Sequence, residues 1–159
     1  MDAHNMIAYL INVSEGKLQL MHQMLSLTKE QSSCTNEEKL DQMMDLIHRK
    51  QLLIDKVNML DSEFEEKYDA LKKYCNVASL EEIEIRKYEG IKKLKNIVQQ
   101  IYDIIEKIRQ LEVENNENMQ KALEAVKQEL SQVRYNIKIN HTYGKNKNVY
   151  GGVFIDKKK

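Results

Sequence analysis

Residues 40–75 read LDQMMDLIHRKQLLIDKVNMLDSEFEEKYDALKKYC, and within them Leu40, Met43, Ile47, Ile54, Val57, Leu60, Phe64, Tyr68, Leu71 and Cys75 recur at steps of three and four. Apolar side chains at that interval line one face of an α-helix. The period lapses once, at Lys50-Gln51. Charged residues fill the opposite arc, with Glu63 and Lys67, and Asp69 and Lys73, in the favourable i,i+4 order. Thr35 and Glu38 have the spacing of a capping box, which predicts a helix starting near Asn36 and running about 40 residues, roughly 60 Å. A helix of that length cannot bury its own stripe, so the segments on either side are read as its neighbours.

Upstream, Met6, Ile7, Leu10, Ile11, Val13, Leu18, Met21, Met24, Leu25 and Leu27 keep helical spacing from Asp2 to Glu30. Gly16 is a soft spot, because glycine inside a helix costs about 1 kcal/mol relative to alanine. Downstream the pattern falters at Asn76-Val77-Ala78, and a second capping box, Ser79 with Glu82, predicts a restart near Leu80. Gly90 is read as a joint that either ends a short helix or lies inside a longer one. From Ile91 the period is strong again through Ile137, a third helix of about 48 residues. The chain has no proline and five glycines, which suits long uninterrupted helices. The expected fold is all-α, an elongated antiparallel bundle or coiled-coil hairpin of three long helices over residues 1–139. Residues 140–159 lack the period and are expected to form a flexible C-terminal tail, whose Val149–Ile155 patch orders on binding or folds back.

The two halves of the third helix differ. Leu94, Ile97, Val98, Ile101, Ile104, Ile105 and Leu111 cover an arc of about 140°, wide enough for two neighbouring helices. Beyond Asn115-Asn116 the apolar positions Met119, Ala122, Leu123, Val126, Leu130, Val133 and Ile137 narrow to about 100°, enough for one. In an up-down-up arrangement the third helix outruns the second by roughly 12 Å, so its last turns are expected to lack cover. An apolar stripe in that position marks a site for another chain, and Met119, Leu123, Val126, Leu130, Val133 and Ile137 are the candidate anchors. Leu52 and Met59 lie about 100° off the main stripe of their helix and are candidates for a second contact surface. Met6, Met21, Met24 and Met43 are read as core filling.

Composition narrows the function classes. Charged residues make up 31% of the chain and the formal net charge is zero, which gives no field to steer it onto nucleic acid or an anionic membrane. No apolar run approaches the ~18 to 20 residues of a membrane span, and Met1-Asp2-Ala3-His4 lacks the basic start of a signal peptide, so a cytoplasmic location is expected. Cys34 and Cys75 flank the long helix, roughly 60 Å apart if it is continuous, beyond the reach of a disulfide. Cys75 is expected on a buried face and Cys34 in a loop. Phosphate-binding loops, dinucleotide fingerprints and the His-Glu-x-x-His zinc motif are absent from the sequence. Asp45 with His48 has the spacing of half a di-iron site, but no second copy exists. Neither an enzyme nor a cofactor- or metal-binding protein is expected.

The run Leu46 to Asp61, followed by Phe64 and Tyr68, and the preceding Leu27-Thr28-Lys29-Glu30-Gln31, resembles the corresponding stretches of FlgN-type flagellar export chaperones. The resemblance implies an ATP-independent cytoplasmic chaperone of a flagellar type III export system. Its members bind the helical ends of hook-associated (hook-filament junction) proteins, prevent their premature association and hand them to the export gate and its ATPase complex. It also implies that the C-terminal part meets the gate, with Tyr135, Tyr143 or Tyr150 as candidates. Neither nucleic acid nor stable membrane insertion is part of that role, and a weak homodimer is compatible with it. The alternative reading is a structural coiled-coil or tethering protein that self-associates through the same stripe.

Overall fold

The computed structural model describes residues 2–142. Three α-helices account for most of them: α1 (Ala3–Gln31), α2 (Leu40–Cys75) and α3 (Ile91–Thr142). Short 3-10 turns at Glu37–Lys39 and Leu80–Glu82 interrupt the two connections. The all-α architecture of three long helices agrees with the periodicity. The chain divides into two compact units, Met1–Asn116 and Glu117–Lys159.

In the first unit, α1, α2 and the beginning of α3 enclose a single apolar seam. At one end Met6, Ile7, Leu10, Leu71, Ile83, Ile91 and Leu94 are buried together, with Phe64, Tyr68, Leu80 and Val98 packed around them. Farther along the helices Met21, Met24, Leu27, Met43, Leu46, Leu53, Ile97, Ile101, Ile104 and Ile108 are buried as well. Met6, Met21, Met24 and Met43 are core residues, as their spacing suggested. Asp2 caps α1 by accepting the Asn5 amide at 2.8 Å. Gly16 does not interrupt α1, and a β-carbon there would lie 3.4 Å from Leu60 Cδ1, an ordinary contact.

Several sequence expectations are corrected. The buried seam of the first half of α2 is Met43, Leu46, Lys50 and Leu53, so Leu40 and Ile47 face outward. The apparent lapse at Lys50 is the seam itself: Lys50 is only 7% exposed. Its ammonium donates to Glu112 Oε1 at 2.7 Å and Gln31 Oε1 at 2.9 Å, so one residue from each helix meets there. A lysine is tolerated in that position because its apolar stem packs while both hydrogen bonds meet its charge. Beside it Asn115 donates to the Thr28 carbonyl at 3.1 Å and accepts from the Ser32 hydroxyl at 2.8 Å, which makes the asparagine a buried polar layer.

The predicted start of α2 near Asn36 is also displaced. Asn36, not Thr35, supplies the capping oxygen, accepting the Lys39 amide at 3.1 Å, and α2 proper begins at Leu40. At its other end Asn76 adopts the left-handed conformation, φ 54° and ψ 50°, and stops the helix. The restart near Leu80 is a single 3-10 turn, whose Glu82 carboxylate accepts the Ala78 and Ser79 amides. Tertiary bonds fix this connection: the Leu80 amide donates to the Tyr68 hydroxyl at 2.7 Å and Lys95 donates to the Ile83 carbonyl at 2.7 Å. Gly90 has φ 91° and lies directly before α3, so it is the joint at the start of the third helix. Cys34 is the buried thiol, in its loop, whereas Cys75 is half-buried; both are free.

The second unit contains the remainder of α3, which continues to Thr142, beyond the expected limit at residue 139. The tail expected over 140–159 lies, from residue 143 onward, outside the described residues.

Candidate functional site

In the second unit, every one of the six proposed anchors lies on α3. Successive residues turn by about 100°, so Met119, Leu123, Val126, Leu130, Val133 and Ile137 fall on one face. Among the described residues from 117 to 139, none is buried. Leu123 is 55% exposed and Val133 is also exposed, while Met119, Val126, Leu130 and Ile137 are half-buried. Earlier in the same helix Ile91 and Leu94 are fully buried, so the two stretches of similar period differ in cover.

The first unit presents further apolar surface. Met59 is 68% exposed, and Leu52 stands at the edge of a shallow groove of about 440 Å³ between α1 and α2, with Leu27, Leu53, Arg49, Lys56 and Glu30 around it. Leu52 lines this groove and Met59 does not. A third patch was missed by periodicity: Leu40, Met44 and Ile47, at i, i+4 and i+7 on α2, are all exposed. The signal that finds it is Lys50. Once the seam is written as 43, 46, 50 and 53, these three residues fall about 100° outside it. A smaller recess of about 120 Å³ opens between the three helices, lined by Val13, Phe64, Val98, Ile101, Tyr102 and Ile105. The Lys17–Asp61 ion pair, at 2.6 Å, sits at the edge of that recess.

Among the described residues no group of three or more His, Cys, Asp or Glu side chains could hold a metal ion. Asp45 and His48 are both exposed on α2. The Tyr9 phenol is raised above its ordinary value by burial and then by the Glu63 carboxylate. The Tyr88 phenol is raised by its hydrogen bond with Cys75 and then by burial. Both therefore stay neutral near physiological pH. Tyr135 is exposed on α3, whereas Tyr143 and Tyr150 lie outside the described residues. No described helix is long and apolar enough to cross a membrane.

Comparison with known proteins places these features in a family. The family described as FlgN protein matches residues 1–151, nearly the whole chain. No curated protein and no solved structure matches it. With a match of that extent over three long helices and the surfaces they carry, the chain belongs to the FlgN family of flagellar export chaperones.

Proposed function

We propose that this chaperone works without ATP in the cytoplasm, binding the helical terminal segment of a hook-associated flagellar protein and holding it apart from its assembly partners until export. The supporting observation is the uncovered stripe of α3: an apolar face five turns long, from Met119 to Ile137, with no buried residue among those described. An amphipathic client helix laid along Met119, Leu123, Val126, Leu130, Val133 and Ile137 shields apolar surface on both partners, the helix-in-groove mode of recognition. Leu52 and Met59 serve as a second contact surface. In this reading the loaded chaperone is then delivered to the export gate and its ATPase complex, with exposed Tyr135 as the testable contact among the described residues.

The test is a double substitution, Val126→Asp with Leu130→Asp. Both side chains lie in a stretch without buried residues, so the helical circular dichroism is expected to survive while client capture from cells carrying the flagellar genes is lost. Loss of the helical signal would instead identify these residues as ordinary core. Permanent dimers or tetramers by light scattering would favour the self-associating coiled coil over the chaperone.

A further inference from the structure

The stripe on α3 has two unlike borders. Placed on a helical wheel at about 100° per residue, Lys127 and Arg134 fall on one border, roughly 70° to 90° from the centre of the stripe, and Lys138 follows on the same side. The opposite border carries Asn118, Ala125, Glu129 and Asn136. Glu117 and Glu124 lie farther round, at the back of the helix. Lys127 and Arg134 are both exposed, and among the described residues neither forms an ion pair. An apolar face with one basic edge is half of a charge code. In helix pairs the residues flanking the seam select partner and orientation through opposite charges.

We infer that the α3 face selects an amphipathic helix whose apolar stripe is bordered by acidic residues one heptad apart, set to meet Lys127 and Arg134. The inference rests on the chaperone reading and specifies its client chemistry. Charge argues against an antiparallel second copy and against the chain's own C-terminal segment. Two copies packed antiparallel through this face bring like edges together, Lys127 and Arg134 against their own counterparts. Packed parallel, Glu129 of one copy meets the basic edge of the other, an opposite-charge contact, so a parallel dimer is the rival occupant that light scattering tests. The chain's own segment 143–159 contains five lysines against one acid, Asp156, so it brings further positive charge to a basic edge.

The experiment uses the full chain and two synthetic helical peptides of about 21 residues, three heptads, with identical leucine stripes. One has glutamate and the other lysine along its border. Fluorescence anisotropy should show the glutamate peptide binding roughly fivefold more tightly at low salt, the size expected of two exposed pairs. The advantage should vanish near ~1 M salt, where screening acts over ~3 Å. Lys127→Glu with Arg134→Glu should invert the preference with circular dichroism unchanged. Equal binding of the two peptides, or a preference that the reversal leaves in place, overturns the inference. If neither peptide binds, the inference also falls, and a dimer in light scattering then makes a second copy the occupant. Val126→Asp with Leu130→Asp separates the two levels. If it abolishes binding of peptides that show no charge preference, only the acidic-border inference fails; if it leaves binding untouched, the stripe is not the site.

Discussion

Lys50 is the residue at which periodicity misleads, and the reason is physical. Reading apolar residues alone puts a lysine on the wet face, yet here its stem completes the seam and its ammonium is met by Gln31 and Glu112. The same error turned Leu40 and Ile47 inward on paper, when both are exposed. Only tertiary partners far along the chain could have shown otherwise. The energetics follow from what substitution leaves behind. Lys50→Met keeps the volume but strips the buried Gln31 oxygen of its donor, a loss of about 1–2 kcal/mol, while half-exposed Glu112 turns to water. Adding Gln31→Leu removes the orphaned oxygen and should recover most of that loss. Urea unfolding of the two variants checks this, since independent sites would give additive costs.

At the scale of the elements, the three long helices were legible because each has a sustained apolar period and the chain has no proline. Their limits were less so. The connection from Asn76 to Gly90 reads as a restarting helix because Ser79 and Glu82 have capping spacing, but the path is fixed by Tyr68 and Lys95, whose contacts are tertiary. Gly16 and Gly90 make the distinction measurable. Gly16 lies inside α1 with room for a methyl group, so Gly16→Ala should stabilise by about 0.5–1 kcal/mol through helix propensity. At Gly90 the backbone has φ 91°, and an added β-carbon would lie 3.1 Å from both Ile7 Cγ2 and Ile11 Cδ1. Gly90→Ala should therefore destabilise by about 1–2 kcal/mol. Thermal melts of the two alanine variants should move in opposite directions.

Across the whole molecule, the sequence distinguished a wide apolar arc on the first half of α3 from a narrow one on the second. The structure attaches different burial to them, with Leu94 at 0% exposure and no buried residue from 117 to 139 among those described. What periodicity cannot supply is the occupant, because a stripe has the same spacing whether it meets a sister helix, a client or water. Hydrogen exchange should follow cover: amides of Ile97–Ile108 should be protected to near the global stability, and those of Leu123–Val133 should exchange through local opening. Adding a client helix should slow exchange in the second set and leave the first unchanged.

The uncovered stretch also bears on how long an idle chaperone lasts. Lys121, Lys127, Arg134 and Lys138 are all exposed within it, each a cleavage point for a trypsin-like protease once a few helical turns fray. Limited digestion of the unladen chain should nick there before it touches the core of Met1–Asn116, and a bound helix should withhold those bonds from the enzyme. Lifetime would then track occupancy: a carrier with cargo persists, and a surplus carrier is cleared.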